Sequence, residues 1–398
     1  MTMLLSEVAR RRPRAGVGVG VGEAGEDLPV TGRLPGELRG RYLRVAPDPR
    51  GAAPAGFCVP AWSGGLVHGV QLGGGRARWH RRQRAGRMLP AGEPGEPGEH
   101  AACLRSHPSV DPDTGELHAV ASYPDLPFVE HLVLAADGRE RGCDPIPVTA
   151  AALMPAVSVT RRHLVLYDLP VRHSRAATLV GARAPYRWDP EHPARLGVLR
   201  RGAGGGAVRW VEVSPCFVLH PLNAYDDGGR IVLDVIRHER AFGPERADRA
   251  RPAPTLWRWT VDPAGRVAEE QLSDRAEEFP TVDDRRRGRR HRYGYGVGLA
   301  SGGDRAGRAV LKHDLVAGTV QAHEVGPGRT VEEAVFVPRA PDAAEDDGWL
   351  LAVAHDAVRD RSEVLVLDAR EPAGPPVAVV HLPVRLPAGC HATWSPTG

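Results

Sequence analysis

Apolar residues along this chain come in short runs, each cut off by Gly, Pro, Asp or Asn. Leu117-His-Ala-Val-Ala-Ser, Leu164-Val-Leu-Tyr, Ile231-Val-Leu-Asp-Val-Ile236, Thr255-Leu-Trp-Arg-Trp-Thr, Trp349-Leu-Leu-Ala-Val-Ala and Glu363-Val-Leu-Val-Leu-Asp are examples. Runs of this length between turn formers predict strands, and long segments with a 3.6-residue period are nearly absent. Many short strands at regular spacing predict an all-β fold: a sandwich, a barrel or a propeller. No clean internal repeat marks individual propeller blades. Residues 1–26 are rich in Arg, Gly and Val without periodicity and predict a loose N-terminal arm. Residues 27–398 predict one large β domain.

One stretch stands out. Phe217-Val-Leu-His-Pro-Leu-Asn-Ala-Tyr225-Asp-Asp-Gly-Gly-Arg-Ile-Val-Leu-Asp234 sets His220 at the end of an apolar run. A polar corner over 223–229 follows, and then a second apolar run. This predicts a β-hairpin with a histidine near its turn, where the ring can be held rigidly and aimed inward.

Composition narrows the function classes. Hydrophobic residues make up 42% and charged residues 25%, the balance of a globular protein. The net charge is +3, with acidic and basic residues interspersed. Nucleic-acid binding calls for a basic face with interleaved aromatics, and the chain has neither. Nearly all the positive charge is arginine; Lys312 is the only lysine. The five cysteines, Cys58, Cys103, Cys143, Cys216 and Cys390, are scattered and never in CxxC spacing. They read as thiols in a reducing compartment rather than a disulfide frame or a zinc site. No apolar run reaches membrane-spanning length, and the first residues lack the apolar core of a secretory signal. The expectation is a cytoplasmic protein.

Several ordered motifs, taken with His220, resemble the carotenoid cleavage oxygenase family over about Gly32 to Trp394. Gly32-Arg-Leu-Pro-Gly-Glu-Leu-Arg-Gly-Arg-Tyr-Leu-Arg44 resembles the family's opening segment. Trp62-Ser-Gly-Gly-Leu-Val-His68 resembles its Gly-Asp-Gly-Met-Val-His strand, in which the histidine is structural. Ser106-His-Pro-Ser-Val-Asp111, Glu278-Phe-Pro280, Glu333-Ala-Val-Phe-Val-Pro-Arg339 and Cys390-His-Ala-Thr-Trp394 follow in the family's order. The resemblance implies a seven-bladed β-propeller holding a non-haem Fe(II) on its axis. It also implies O2-dependent cleavage of a carbon–carbon double bond in an apolar polyene, a carotenoid or apocarotenoid.

By the same resemblance, His107, His220 and His391 match three of the family's four iron ligands. Neutral imidazoles suit such a centre because they are good borderline donors that leave the ferrous state accessible. Glu278 and Glu333 match two of the three glutamates that orient the ligand rings, and their apolar settings predict burial against a partner. The fourth ligand position departs from the pattern. Met154-Pro-Ala-Val-Ser-Val-Thr160 stands where the family reads Met-His-Asp-Phe, so Pro155 occupies a ligand's place. His163 lies beyond the aligned position and is a poor substitute.

A second departure lies just upstream of His107. Only the Gly/Pro/Glu linker over 89–102 joins the preceding motif to it, which predicts one incomplete blade and the loss of the third glutamate. Two readings therefore stay open. One is an Fe(II) dioxygenase with a three-histidine site. The other is a degenerate relative that binds an apolar molecule or a partner without turnover. A third, an unrelated all-β binding module, requires the ordered motifs to be coincidence. Family members acting on hydroxystilbenes engage the phenol with a tyrosine and a lysine, and with Lys312 in an unrelated strand that branch is disfavoured. Membrane contact is expected to be peripheral at most.

Overall fold

The computed structural model describes residues 25–47, 65–82, 104–123, 126–136, 139–150, 152–182, 185–242, 252–300, 306–386 and 391–397. Six antiparallel sheets of four or five strands make up most of these residues. The first sheet runs, from its inner strand outward, His391–Pro396, Gly40–Pro47, Gly65–Gly73, Arg76–Arg82. The second has Leu104–Arg105 and Ser109–Val110 on the inside, then Leu117–Ser122, Phe128–Leu134 and Glu140–Pro147. The third, fourth and fifth begin on Val157–Val159, Phe217–Asp227 and Glu277–Thr281. The sixth begins on Arg329–Pro338 and ends outermost on the first strand of the chain, Val30–Gly32.

The middle strands explain why the apolar runs were so easy to see. In Gly348–Asp356 and Arg230–His238 consecutive residues are buried on both faces, because each sheet is sandwiched between two others. The core is accordingly a set of layers between sheets. One layer joins Tyr167, Leu196 and Val198 of the third sheet to Phe217, Leu233 and Trp259 of the fourth. Another joins Tyr42 and Val70 of the first to Trp349 and Val366 of the sixth.

The inner strands follow one another in a line of contacts whose two ends meet at the rings of His107 and His391. Ser109–Val110 touches Val157–Val159, which touches Phe217–Asp227, then Glu277–Thr281, then Arg329–Pro338, then His391–Pro396. Chain ends stitch this circuit shut: the last strand pairs with Gly40–Pro47, and Val30–Gly32 completes the sheet built on Arg329–Pro338. The arrangement is that of a propeller whose blades are these sheets. Close approach at the seam demands a glycine, since a Cβ on Gly40 would lie 2.4 Å from the Trp394 ring. The stretch predicted to be an incomplete blade, 89–102, falls outside the described residues. Gly25 and Glu26, at the end of the predicted arm, hydrogen-bond to Trp79.

The hairpin around His220 needs a correction. Its turn is Gly228-Gly229, both at positive φ, and residues 223–227 continue the strand. His220 thus lies near the start of its strand and far from the turn. Polar residues of the supposed corner are consumed by neighbouring loops: the Asn223 amide is bonded by the 286–291 loop, and Asp226 by His163. A five-residue helix, Arg175–Leu179, sits in an excursion from the third sheet. No helix among the described residues is long and apolar enough to cross a membrane.

Candidate metal centre

Register breaks in the inner strands create the site. Phe217–Asp227 slips against its partner between Val218 and Pro221, the interval that contains His220, and again before Asn223. Glu277–Thr281 slips after Glu278, and Arg329–Pro338 slips between Val331 and Ala334. A bulge adds one residue to one strand and re-aims the side chains beside it. Here His220 and Glu333 lie within the bulges, and Glu278 is the last residue in register before one. At the second of them Phe279 takes φ +54°, and Pro280, which has no N–H to offer a ladder, follows it.

His107, His220 and His391 come together at the axis. Their ring centroids lie 4.3 Å (107–391), 5.2 Å (107–220) and 5.3 Å (220–391) apart. Each contributes a donor nitrogen within 4.8 Å of the other two, and all three Nε2 atoms are buried with no hydrogen-bond partner. Among the described residues no second group of three such donors occurs. An orphaned buried polar atom is costly, so three converging ones call for an occupant. Three donors no more than 4.8 Å apart lie within about 2.8 Å of a common centre, so bonds of about 2.1 Å ask each ring to close in by only about 0.7 Å.

The opposite edges of two rings are fixed by carboxylates. Glu278 Oε2 accepts from His220 Nδ1 at 2.6 Å, its Oε1 accepts from His238 Nε2 at 2.6 Å, and Oε2 also takes the Phe279 N–H at 2.8 Å. Burial opposes the charge on Glu278, yet the two imidazoles hold its carboxyl far below the ordinary range. An ionised carboxylate only accepts, so the His220 proton sits on Nδ1 and the lone pair is left on Nε2. Glu333 faces His391 Nδ1 at 3.3 Å from both oxygens and takes the Ala392 N–H at 2.8 Å. Burial disfavours a charged His391 ring, but Glu333 more than offsets this and raises its pKa. His107 goes the other way: burial, and then the His391 and His220 rings, push its pKa well below the ordinary value. It is a neutral donor.

His107 has no carboxylate on its ring among the described residues. Its backbone instead pairs with the segment carrying Pro155: the His107 N–H donates to the Pro155 carbonyl at 2.7 Å, and His107 bridges Ala156. Proline thus supplies a main-chain acceptor beside the cluster and no imidazole. Phe279 lies against the rings of His220 (5.2 Å) and His391 (6.3 Å), an apolar wall on the same centre.

His163 is held by Asp226 at 2.7 Å, and His68 is buried beside Trp79; neither joins the three rings. Lys312 is engaged by Asp346 at 2.7 Å and lies over Tyr293. Cys143 and Cys216 are free thiols; the other three cysteines lie outside the described residues. His238 was not singled out by the sequence, although a signal existed. A turn placed at Gly228-Gly229 sets the two ends of the hairpin side by side, and with them His220 and His238.

The model of the retinal pigment epithelial membrane protein family, RPE65, matches residues 86–396. A carotenoid cleavage oxygenase of Mycobacterium tuberculosis is 34% identical over 476 aligned positions, covering 93% of this chain and 94% of that protein. The alignment is longer than the chain itself, so that relative carries segments absent here. A carotenoid 9,10(9',10')-cleavage dioxygenase of Crocus sativus is 28% identical, covering 92% of this chain and 85% of its own. The crystal structure of a lignostilbene dioxygenase of Pseudomonas brassicacearum superposes with a TM-score of 0.80 at 22% identity, over 96% of this chain and 98% of that one. At that identity the likeness is one of fold.

Proposed function

The chain belongs to the carotenoid cleavage oxygenase family, and from that premise we propose that it is a ferrous-iron dioxygenase using O2 to cleave a double bond of a carotenoid or apocarotenoid. The observation that carries this reading is the trio of buried, unpartnered Nε2 atoms of His107, His220 and His391, two of them with a carboxylate on the far side of the ring. Imidazole donors alone suit several metals, and the family selects iron among them. Relatives named for carotenoid cleavage support the substrate class.

His107, His220 and His391 would hold the ion. When bound, ferrous iron supplies the electrons that let O2 react with a closed-shell alkene. Glu278 and Glu333 keep protons on Nδ1 and lone pairs turned toward the ion. Phe279 screens two of the rings from water, and an apolar polyene asks for no polar partner at such a wall. Lys312, committed to Asp346, offers nothing to a phenol.

Pro155 favours a second reading, a propeller that binds an apolar molecule or a partner without turnover. Both are tested by iron content after anaerobic purification with Fe(II), beside His220→Ala. Near-stoichiometric iron that disappears in the variant, together with consumption of an apocarotenoid under air, supports the dioxygenase. Iron with no consumption of any polyene supports the degenerate reading. Iron no higher than in the variant sinks the metal centre.

A further inference from the structure

The bulge in Arg329–Pro338 sets two adjacent glutamates, Glu332 and Glu333, opposite the single residue Val353. Their carboxylates leave in different directions. Glu333 turns to His391 and the Ala392 N–H. Glu332 receives the Arg44 guanidinium side-on, Nε to Oε2 at 2.5 Å and Nη2 to Oε1 at 2.6 Å. Arg44 is only 2% exposed, and in the first sheet it stands directly opposite Ala392. The strand carrying His391 is therefore gripped twice. Glu333 holds it through a main-chain N–H, and one strand out Arg44 ties the same register position to the residue next to Glu333.

Buried ion pairs contribute little net stability, because desolvation offsets their attraction; what a bidentate pair supplies is geometry. The fifth sheet carries a related pair, set in register just before its bulge rather than within it. Glu277 precedes Glu278 as Glu332 precedes Glu333, and the buried His313 Nε2 bonds it at 2.9 Å. At both carboxylates that address a ligand ring, the preceding glutamate is anchored by a buried base.

We propose that Arg44 is a positioning residue of the centre: through Glu332 it fixes the bulge that aims Glu333, and so sets the orientation of His391. The inference rests on the metal-centre reading above. It gives a role to a residue more than three hundred positions from the ring it orients, on the strand that closes the propeller.

Co(II) serves as the probe, since its visible bands report ligand geometry without turnover. Arg44→Lys keeps the cation and loses the two-pronged contact. The double variant Arg44→Met/Glu332→Leu removes the pair without stranding a buried charge, which protects folding. Arg258→Lys is the control, breaking a fork of the same geometry on the buried Asp234 that touches no carboxylate of the centre. Both Arg44 variants are expected to weaken Co(II) binding roughly 10- to 100-fold and alter the bands, with the control unchanged. If they lower the melting temperature yet bind Co(II) with wild-type affinity and spectrum, Arg44 is structural and the proposal fails. If wild-type protein binds no Co(II), the metal-centre reading itself falls, and this inference with it.

Discussion

Replacing Glu278 by Gln changes one atom and breaks the logic of the site. The carboxylate accepts three hydrogen bonds, from His220, His238 and the Phe279 N–H, at 2.6, 2.6 and 2.8 Å. Gln keeps one acceptor oxygen and turns an NH2 toward the other ring. Whichever histidine meets that NH2 must move its proton to the opposite nitrogen. If it is His220, an N–H then points at His107 and His391 where a lone pair stood. A buried hydrogen bond to a charged group is worth about 1.5–3 kcal/mol, so at neutral pH the metal-free protein should lose about that much stability. Loss of a ligand's orienting carboxylate should weaken metal binding about 10- to 100-fold, a further ~1.4–2.8 kcal/mol in the loaded state.

The sign with pH follows. Glu278 is depressed from 4.5, so its stabilisation is complete above that value and disappears as pH falls below it. The gap between wild type and Glu278→Gln should therefore be full at pH 7 and narrow as acid is added below 4.5. Urea unfolding with and without Co(II), at neutral pH and in acid, reads all three quantities. A variant within about 0.5 kcal/mol of wild type at pH 7, with unaltered Co(II) affinity, would refute the tautomer argument.

Other sites give sharper local tests. Phe279 sits at positive φ, a conformation that costs a non-glycine residue about 1–2 kcal/mol. Phe279→Gly should thus be more stable than Phe279→Ala by about 1 kcal/mol in urea unfolding, reversing the usual order of those residues in strands. Asn223 bonds the backbone at Arg286, Gly288 and Arg289 and so latches a loop bearing six arginines between 285 and 292. Asn223→Ala should cost about 2–3 kcal/mol and sharply accelerate trypsin cleavage in that loop. His118 and His131 share a buried contact of 3.1 Å, and burial pushes each down to about 4. Both folded values lie below the ordinary 6.5, so stability is present above that pH and is lost as pH falls from 6.5 toward 4. His131→Gln should shrink the difference in urea midpoint between pH 7 and pH 5, and an unchanged difference would count against the buried pair as the cause.

Strands and the three converging rings were legible in the sequence for different reasons. Runs such as Trp349 to Ala354 show themselves because a blade's middle strand is buried on both faces, which leaves a continuous apolar word. The propeller was not in that pattern, since nothing in the run lengths says that sheets follow one another around a ring. It came through the order of motifs, as did His107, His220 and His391. Invisible were Glu277, Glu332 and Arg44, and His238 showed only through the turn at Gly228-Gly229. Each matters through register, and register here is broken by bulges that no apolar period records. The misplaced corner at 223–229 has the same origin: Asn223 and Asp226 look like turn residues until a neighbouring loop arrives to bond them.

Register also explains why the site can depend on the first strands of the chain. His391 opens the last strand and lies opposite Val45; Arg44 lies opposite Ala392. His107 belongs to the second sheet, His220 to the fourth, and Glu333 to the sixth. The strand bearing His391 is held in place by its pairing with Gly40–Pro47, so the position of that ring depends on the first strands of the chain. A change in the seam between the first and sixth sheets, such as one at Tyr42, Arg44 or Glu332, is then a change in the centre, even though none of these side chains points a nitrogen at it. That is why a motif search finds the three rings and passes over the residues that aim them.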